Sequence, residues 1–331
     1  MRDDSVMKTV PFAFLVALVS VIGTSSAPAV SAAEPQYPTR PIRLIVAAAT
    51  GGPNDLISRM AATPWGDLLG KPIVVDNRAG ASGMIGTEIV ARAAPDGYTL
   101  VVGFPGPLII APMMADKPPY DALKDFAPIS LAVSAPFVLV VTPSLAAKSL
   151  KDFVALAKTQ PGKITYASGG TGQSSHMAME LFKLVAGMDV LHVPYKGAGP
   201  AMTAIIAGEV HATFQAIPAA APHIKAGRLR ALGVGGAQRS PLLPDVSTVG
   251  EAGFQFDAGS WYGMLAPKNT PRAIVAKLSN TLVQTLTAPP MRTRLTEIAF
   301  DVNATTPEEF AAHLRRETAT WSKVVAAVGR K

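Results

Sequence analysis

The sequence predicts an α/β protein of two lobes facing each other across a ligand cleft. Three observations carry this reading. Short β-branched runs alternate with helix-like segments along most of the chain. Two glycine loops stand at corresponding strand-to-helix turns. The composition, 331 residues of which 49% are apolar and 16% charged, gives enough apolar surface for roughly two cores. It also excludes a disordered chain. The absence of cysteine excludes a disulfide scaffold, a thiolate metal site, a cysteine nucleophile and a cysteine-borne lipid anchor.

Met1 to Ala33 has its own composition. Lys8 precedes the apolar run Val10 to Val21, and small residues follow to Val30-Ser31-Ala32-Ala33. This is the three-part pattern of a secretory signal, with cleavage expected after Ala32 or Ala33. The run falls short of the roughly 20 residues needed to span a bilayer. Arg2 and Lys8 balance Asp3 and Asp4, so the mature protein keeps the net charge of +7.

The elements follow in order. Ile42 to Ala48 is a strand, Asp55 to Leu69 a helix despite Pro64, and Ile73 to Val75 a strand. Met84 to Ala93 is helical, and Thr99 to Gly103 is a strand introduced by the turn Pro95-Asp96-Gly97. Such alternation predicts a mainly parallel sheet covered on both faces. Phe137 to Val141 opens a second block. Ser149 is an N-cap with Asp152 three residues on, starting a helix to about Lys158. Strands at Ile164–Ala167, Val190–Val193, Thr213–Ala216 and Leu229–Val234 alternate with helices at Gln173–Val185, Pro200–Ala207 and around Pro222–Lys225. From Thr270 the chain reads as mostly helical, and Thr306-Pro307-Glu308-Glu309 starts a helix running to about Val328.

Open α/β sheets bind ligands beyond the carboxyl ends of their strands. The loops to inspect there are Thr50-Gly51-Gly52-Pro53-Asn54-Asp55 and Ser168-Gly169-Gly170-Thr171-Gly172-Gln173-Ser174-Ser175-His176. Both put Gly-Gly at the turn and load the next helix with hydroxyl and amide side chains. Glycine permits close backbone approach, and the free N–H groups of a helix N-terminus favour an anion. Neither loop is a Walker loop, and Ser175 stands where a dinucleotide fingerprint needs its third glycine. No Gly-x-Ser-x-Gly elbow surrounds Ser174, which argues against a serine hydrolase. His176, His192, His211, His223 and His313 show no metal-ligand spacing, so neither a metal nor a cofactor is expected. Asp55 reads first as a helix-start charge, and Arg315-Arg316 with Lys323 as a solvated helix face. The basic residues lack aromatic interleaving, so no nucleic-acid partner is expected.

These residues resemble a known family from Tyr37 almost to the C-terminus. YPTRPIRLIV (Tyr37–Val46), LGKPIVVDNRAGASGMIGTEIVARAAPDGYTL (Leu69–Leu100), PGKITYASGGTGQSSHMAMELFK (Pro161–Lys183), HVPYKGAGPA (His192–Ala201) and SWYGMLAP (Ser260–Pro267) carry the resemblance. The chain resembles the Bug-type periplasmic receptors, the solute-binding component of tripartite tricarboxylate transporters. The resemblance implies a periplasmic-binding-protein fold of the second type and no catalytic step. It implies lobe one at residues 34–133 plus 262–331 and lobe two at 134–261. The implied partners are a small organic acid and the transporter's membrane subunits, for a monomeric receptor free in the periplasm. By the family pattern, Thr50, Gly51, Gly52, Asn54 and Asp55 face the ligand from lobe one. Ser168, Gly169, Gly170, Ser174 and Ser175 face it from lobe two, with Tyr195, Lys196 and Gly197 on the next loop.

Departures from the pattern are informative. Ala47-Ala48-Ala49-Thr50 precedes the first Gly-Gly, Phe104 stands in a loop that is usually polar, and Gln215 replaces a common aspartate. Gln215 argues against an amino-acid ligand, whose ammonium would want a carboxylate. Phe104 points to a more apolar or aromatic acid. Two other function classes compete: a sensory receptor signalling to a membrane kinase, and an exported α/β hydrolase or dehydrogenase.

Overall fold

The computed structural model describes residues 37–329. The expected secretory signal lies outside these residues. In chain order the elements are β1 (Ile42–Val46), α1 (Pro53–Leu69), β2 (Ile73–Asn77), α2 (Met84–Ala91), β3 (Thr99–Gly103), α3 (Ala111–Met114), β4 (Phe126–Val141) and α4 (Leu150–Thr159). They continue with β5 (Thr165–Ser168), α5 (Ser174–Ala186), β6 (Leu191–Pro194), α6 (Ala198–Ile206), β7 (Ala212–Ala216), α7 (Ile217–Lys225) and β8 (Arg230–Val234). The chain closes with β9 (Gly259–Pro267), α8 (Arg272–Thr287), α9 (Pro289–Glu297), β10 (Asp301–Val302) and α10 (Pro307–Val328).

The strand order is β2-β1-β3-β9-β4-β7-β5-β6, with β10 and β8 also paired to β4. The flanks are parallel: β1 with β2 and β3, and β5 with β6 and β7. The middle is antiparallel, which corrects the expectation of a mainly parallel sheet. β4 is the reason. It runs for 16 residues and exchanges partners midway. Up to Pro136 it pairs with β9; from Phe137 it pairs with β7 and β8. Only Phe137–Val141 was legible as a strand, because Pro128, Ser130 and Ser134 break the apolar run before it. In the structure the β4–β9 register shifts between Pro128 and Ser130 and again between Leu131 and Val133. Such bulges accommodate a residue that cannot donate to the ladder.

Two sets of buried side chains lie on either side of this exchange. One joins Ile45, Val101, Leu265, Phe310 and Leu314; the other joins Val138, Ala167, Ile205, Ile217 and Val234. Helix ends follow local chemistry. Ser149 accepts the Asp152 N–H at 3.1 Å while the Asp152 carboxylate accepts the Ser149 N–H at 3.0 Å. Thr306 and Glu309 make the same reciprocal box at the start of α10. Each cap is worth about 1 kcal/mol. The α7 helix is longer than its sequence suggests. Pro218 sits in its first turn, where a missing N–H costs nothing, while Pro222 inside it disguises the pattern.

Candidate functional site

The two glycine loops meet. In the 168–173 loop, Gly170 and Gly172 adopt φ of +130° and +79°, conformations that favour glycine. The chain thereby turns from β5 into α5. Facing it, the loop after β1 packs on the start of α6. A Cβ built on Gly199 would lie 2.3 Å from the Thr50 carbonyl oxygen, so only glycine permits this approach. Gln173 crosses from the second loop and donates from Nε2 to the Ser82 carbonyl at 2.5 Å. Contacts therefore bridge the β1–β3 half and the β5–β7 half, with a small cavity between them.

That cavity has a volume of about 40 Å³, room for on the order of three waters. Its walls come from the first turns or caps of four helices: Pro53 and Asn54 of α1, Gln173 and Ser174 of α5, Gly197 and Ala198 of α6, and Ala216 before α7. None of these four N-caps accepts a hydrogen bond through its side chain. Each helix end presents backbone N–H groups and partial positive charge, worth about 0.3–1 kcal/mol toward an anion and up to about 2 when partly buried.

The remaining wall is aromatic and amide. Phe104 and Tyr262 lie with ring centroids 6.2 Å apart, and Phe137 joins them. Gln215, 2% exposed, donates weakly to Thr213 Oγ1 at 3.4 Å. No charged side chain lines the cavity. Two of its hydroxyls, Ser174 Oγ and Ser260 Oγ, are buried without a hydrogen-bond partner. Leaving such groups unmade costs about 1–3 kcal/mol each, so the site favours a guest that meets them.

Several expected site residues share this wall: Asn54, Phe104, Gly169, Ser174, Ser175, Gly197 and Gln215. Others take supporting places. Asp55 is buried, with Oδ2 accepting from the Gly51 N–H (3.1 Å) and Oδ1 from Arg59 Nε (3.0 Å). Burial pushes its carboxyl up, but hydrogen bonds from Arg59, Gly51 and Asn77 outweigh that and hold it below the usual range. Asp55 thus shapes the loop from behind. Thr50, Gly51 and Gly52 pack against α6 rather than lining the cavity. Ser168 is fully buried, and its Oγ accepts the Gly170 N–H at 3.0 Å and meets His192 Nε2 at 2.6 Å. Gly170 packs on Ser82, while Tyr195 and Lys196 line a neighbouring cleft of about 50 Å³ with Ala81 and Ser82.

Phe137, Gln173, Ser260 and Tyr262 line the cavity without having been expected there. The last two fall in the quoted block Ser260–Pro267, and Gln173 ends the second glycine loop, so position was available as a signal. Phe137 had none, because its role depends on where β4 exchanges partners. Among the described residues, no group of three or more His, Asp or Glu side chains is placed to hold a metal ion. No helix among them is long and apolar enough to cross a membrane.

A family-wide sequence profile described as "Tripartite tricarboxylate transporter family receptor" matches residues 57–330. Solved structures share the fold across most of the chain. BugD, a periplasmic binding protein, is 32% identical with a TM-score of 0.86, over 89% of this chain and 99% of that one. An R. palustris protein solved with adipate is 34% identical with a TM-score of 0.86, over 88% and 98%. MatC from Rhodopseudomonas palustris, with bound malate, is 33% identical with a TM-score of 0.84, over 87% and 100%. The architecture is thus the two-lobed α/β fold of periplasmic binding proteins.

Proposed function

Because this chain belongs to the tripartite tricarboxylate transporter receptor family, a family of solute-binding proteins and not enzymes, we propose that it captures a short aliphatic carboxylate in the periplasm and delivers it to the membrane subunits of such a transporter. One observation carries the ligand class. Four helix N-termini without side-chain caps and two unpartnered hydroxyls surround a cavity with no charged side chain. Such a wall compensates a carboxylate through backbone N–H groups and leaves an ammonium without a counter-charge. The structures solved with adipate and malate support the same class.

Phe104 leaves room for an apolar acid, and the relatives solved with adipate and malate favour an aliphatic one. Phe104, Phe137 and Tyr262 then exclude water around the chain of the acid, while Ser174 and Ser260 meet its polar atoms.

Capture is a population shift: a ligand touching both lobes favours the closed arrangement by its differential affinity. Lobe one is residues 34–133 plus 262–331 and lobe two 134–261 in this reading. The partner exchange of β4 between Pro136 and Phe137 and the start of β9 at Gly259 support it. A thermal-shift panel of malate, succinate, adipate and benzoate tests the ligand class. Aliphatic acids should raise the melting temperature as their concentration passes Kd. Stabilisation by benzoate alone would overturn the reading.

A further inference from the structure

The 168–173 loop that turns toward the cavity is held from behind by two histidines whose rings lie tilted against each other. His192 Nε2 lies 2.6 Å from Ser168 Oγ, the same hydroxyl that accepts the Gly170 N–H at 3.0 Å. His176 Nδ1 accepts the Gly172 N–H at 3.2 Å. The imidazole centroids are 4.2 Å apart, and the Tyr166 ring stacks on both, at 4.9 Å from His192 and 6.4 Å from His176. Tyr166 is anchored in turn: its hydroxyl donates to Glu180 Oε1 at 2.7 Å, and Lys183 donates to the same oxygen at 2.9 Å. Neither imidazole lines the cavity: His176 takes the Gly172 N–H directly, and His192 reaches Gly170 through the Ser168 hydroxyl.

We propose that His176 and His192 are positioning residues for the binding loop, each supplying one nitrogen that sets one of its two glycine turns. The proposal rests on the reading of this loop as half of the carboxylate site. Its chemistry is specific about atoms. His176 acts through Nδ1, which the amide group of asparagine can replace at similar reach. His192 acts through Nε2, which the longer amide of glutamine can replace. Swapping the two amides places the polar group at the wrong distance in both cases. A role limited to filling space behind the loop would not distinguish asparagine from glutamine in this crossed manner.

The test uses the mature protein with malate and adipate as probes. Calorimetric titration compares His176→Ala, His176→Asn and His176→Gln with His192→Ala, His192→Gln and His192→Asn. Amide hydrogen exchange follows Gly170 and Gly172 in the same variants without ligand. H176N and H192Q should keep Kd within about threefold of wild type. H176Q, H192N and both alanine variants should weaken it about five- to tenfold, the scale of one hydrogen bond. Gly172 exchange should accelerate only in H176A and H176Q, and Gly170 exchange only in H192A and H192N. Equal effects of asparagine and glutamine at each position, or unchanged glycine exchange in the alanine variants, would overturn the proposal. If wild type binds neither acid, the proposed ligand class fails, while glycine exchange still decides the positioning role. The four amide variants decide it even if an alanine variant does not fold.

Discussion

Gly199→Ala separates closure from folding. Gly199 is the second residue of α6, and a Cβ there would lie 2.3 Å from the Thr50 carbonyl oxygen on the facing loop. Ordinary contact begins near 3.4 Å, so the two loops must part by about 1 Å. The obstacle is backbone, which cannot rotate away as a side-chain tip would. Overpacking of this kind costs about 1–3 kcal/mol. If the contact joins two lobes as proposed, the cost falls on the closed state alone. By the tenfold change per 1.4 kcal/mol, Kd should rise roughly five- to 150-fold. The open state gains instead, since alanine inside a helix is favoured over glycine by about 0.5–1 kcal/mol. Titration calorimetry with the acid found by thermal shift reads the first effect; thermal melting without ligand reads the second. Gly250→Ala, whose nearest neighbour would be Thr248 Oγ1 at 3.5 Å, is the control and should bind as wild type. An unchanged Kd in G199A would refute the claim that these loops must meet for capture.

Three further outcomes follow from the same geometry. Ser174→Ala and Ser260→Ala each remove a buried hydroxyl without a partner. Both should leave urea stability of the ligand-free protein unchanged or higher, and should weaken binding about two- to tenfold by calorimetry. Gln215→Asp introduces a carboxyl at a 2% exposed position on the cavity wall, and Kd for an acid ligand should rise about tenfold at neutral pH. Burial, with His176 beside it, lowers the His192 pKa to about 3. Its ordinary value is about 6.5, so the unfolded chain takes up this proton first on acidification. The stability tied to neutral His192 is therefore complete above about pH 6.5 and is lost progressively toward pH 3. Chemical denaturation from pH 7 to 4 should show a shallower decline in His192→Gln than in wild type.

What the sequence made legible was local. The helix starts at Ser149 and Thr306 depend on residues within one turn; both form as read, and each closes into a reciprocal capping box. The glycine loops announce themselves because a strand-to-helix turn with exposed backbone needs residues without a Cβ. What escaped was decided by tertiary pairing. β4 looks broken at Pro128 until β9 pairs with it through two bulges. The cavity's far wall is built from Phe137, Ser260 and Tyr262, on strands distant in sequence. Ser168 shows what spacing leaves out. A hydroxyl beside Gly-Gly reads as a ligand donor, and packing places it against His192 and Gly170. Phe104 does line the cavity, as its place in the loop after β3 suggested.

Native mass spectrometry of the protein purified from periplasm tests the central claim most directly, because it asks what an uncharged cavity ringed by helix N-termini retains. The account predicts one small aliphatic carboxylic acid per chain, released on unfolding. An amino acid, a sugar or an aromatic acid in that place would contradict it.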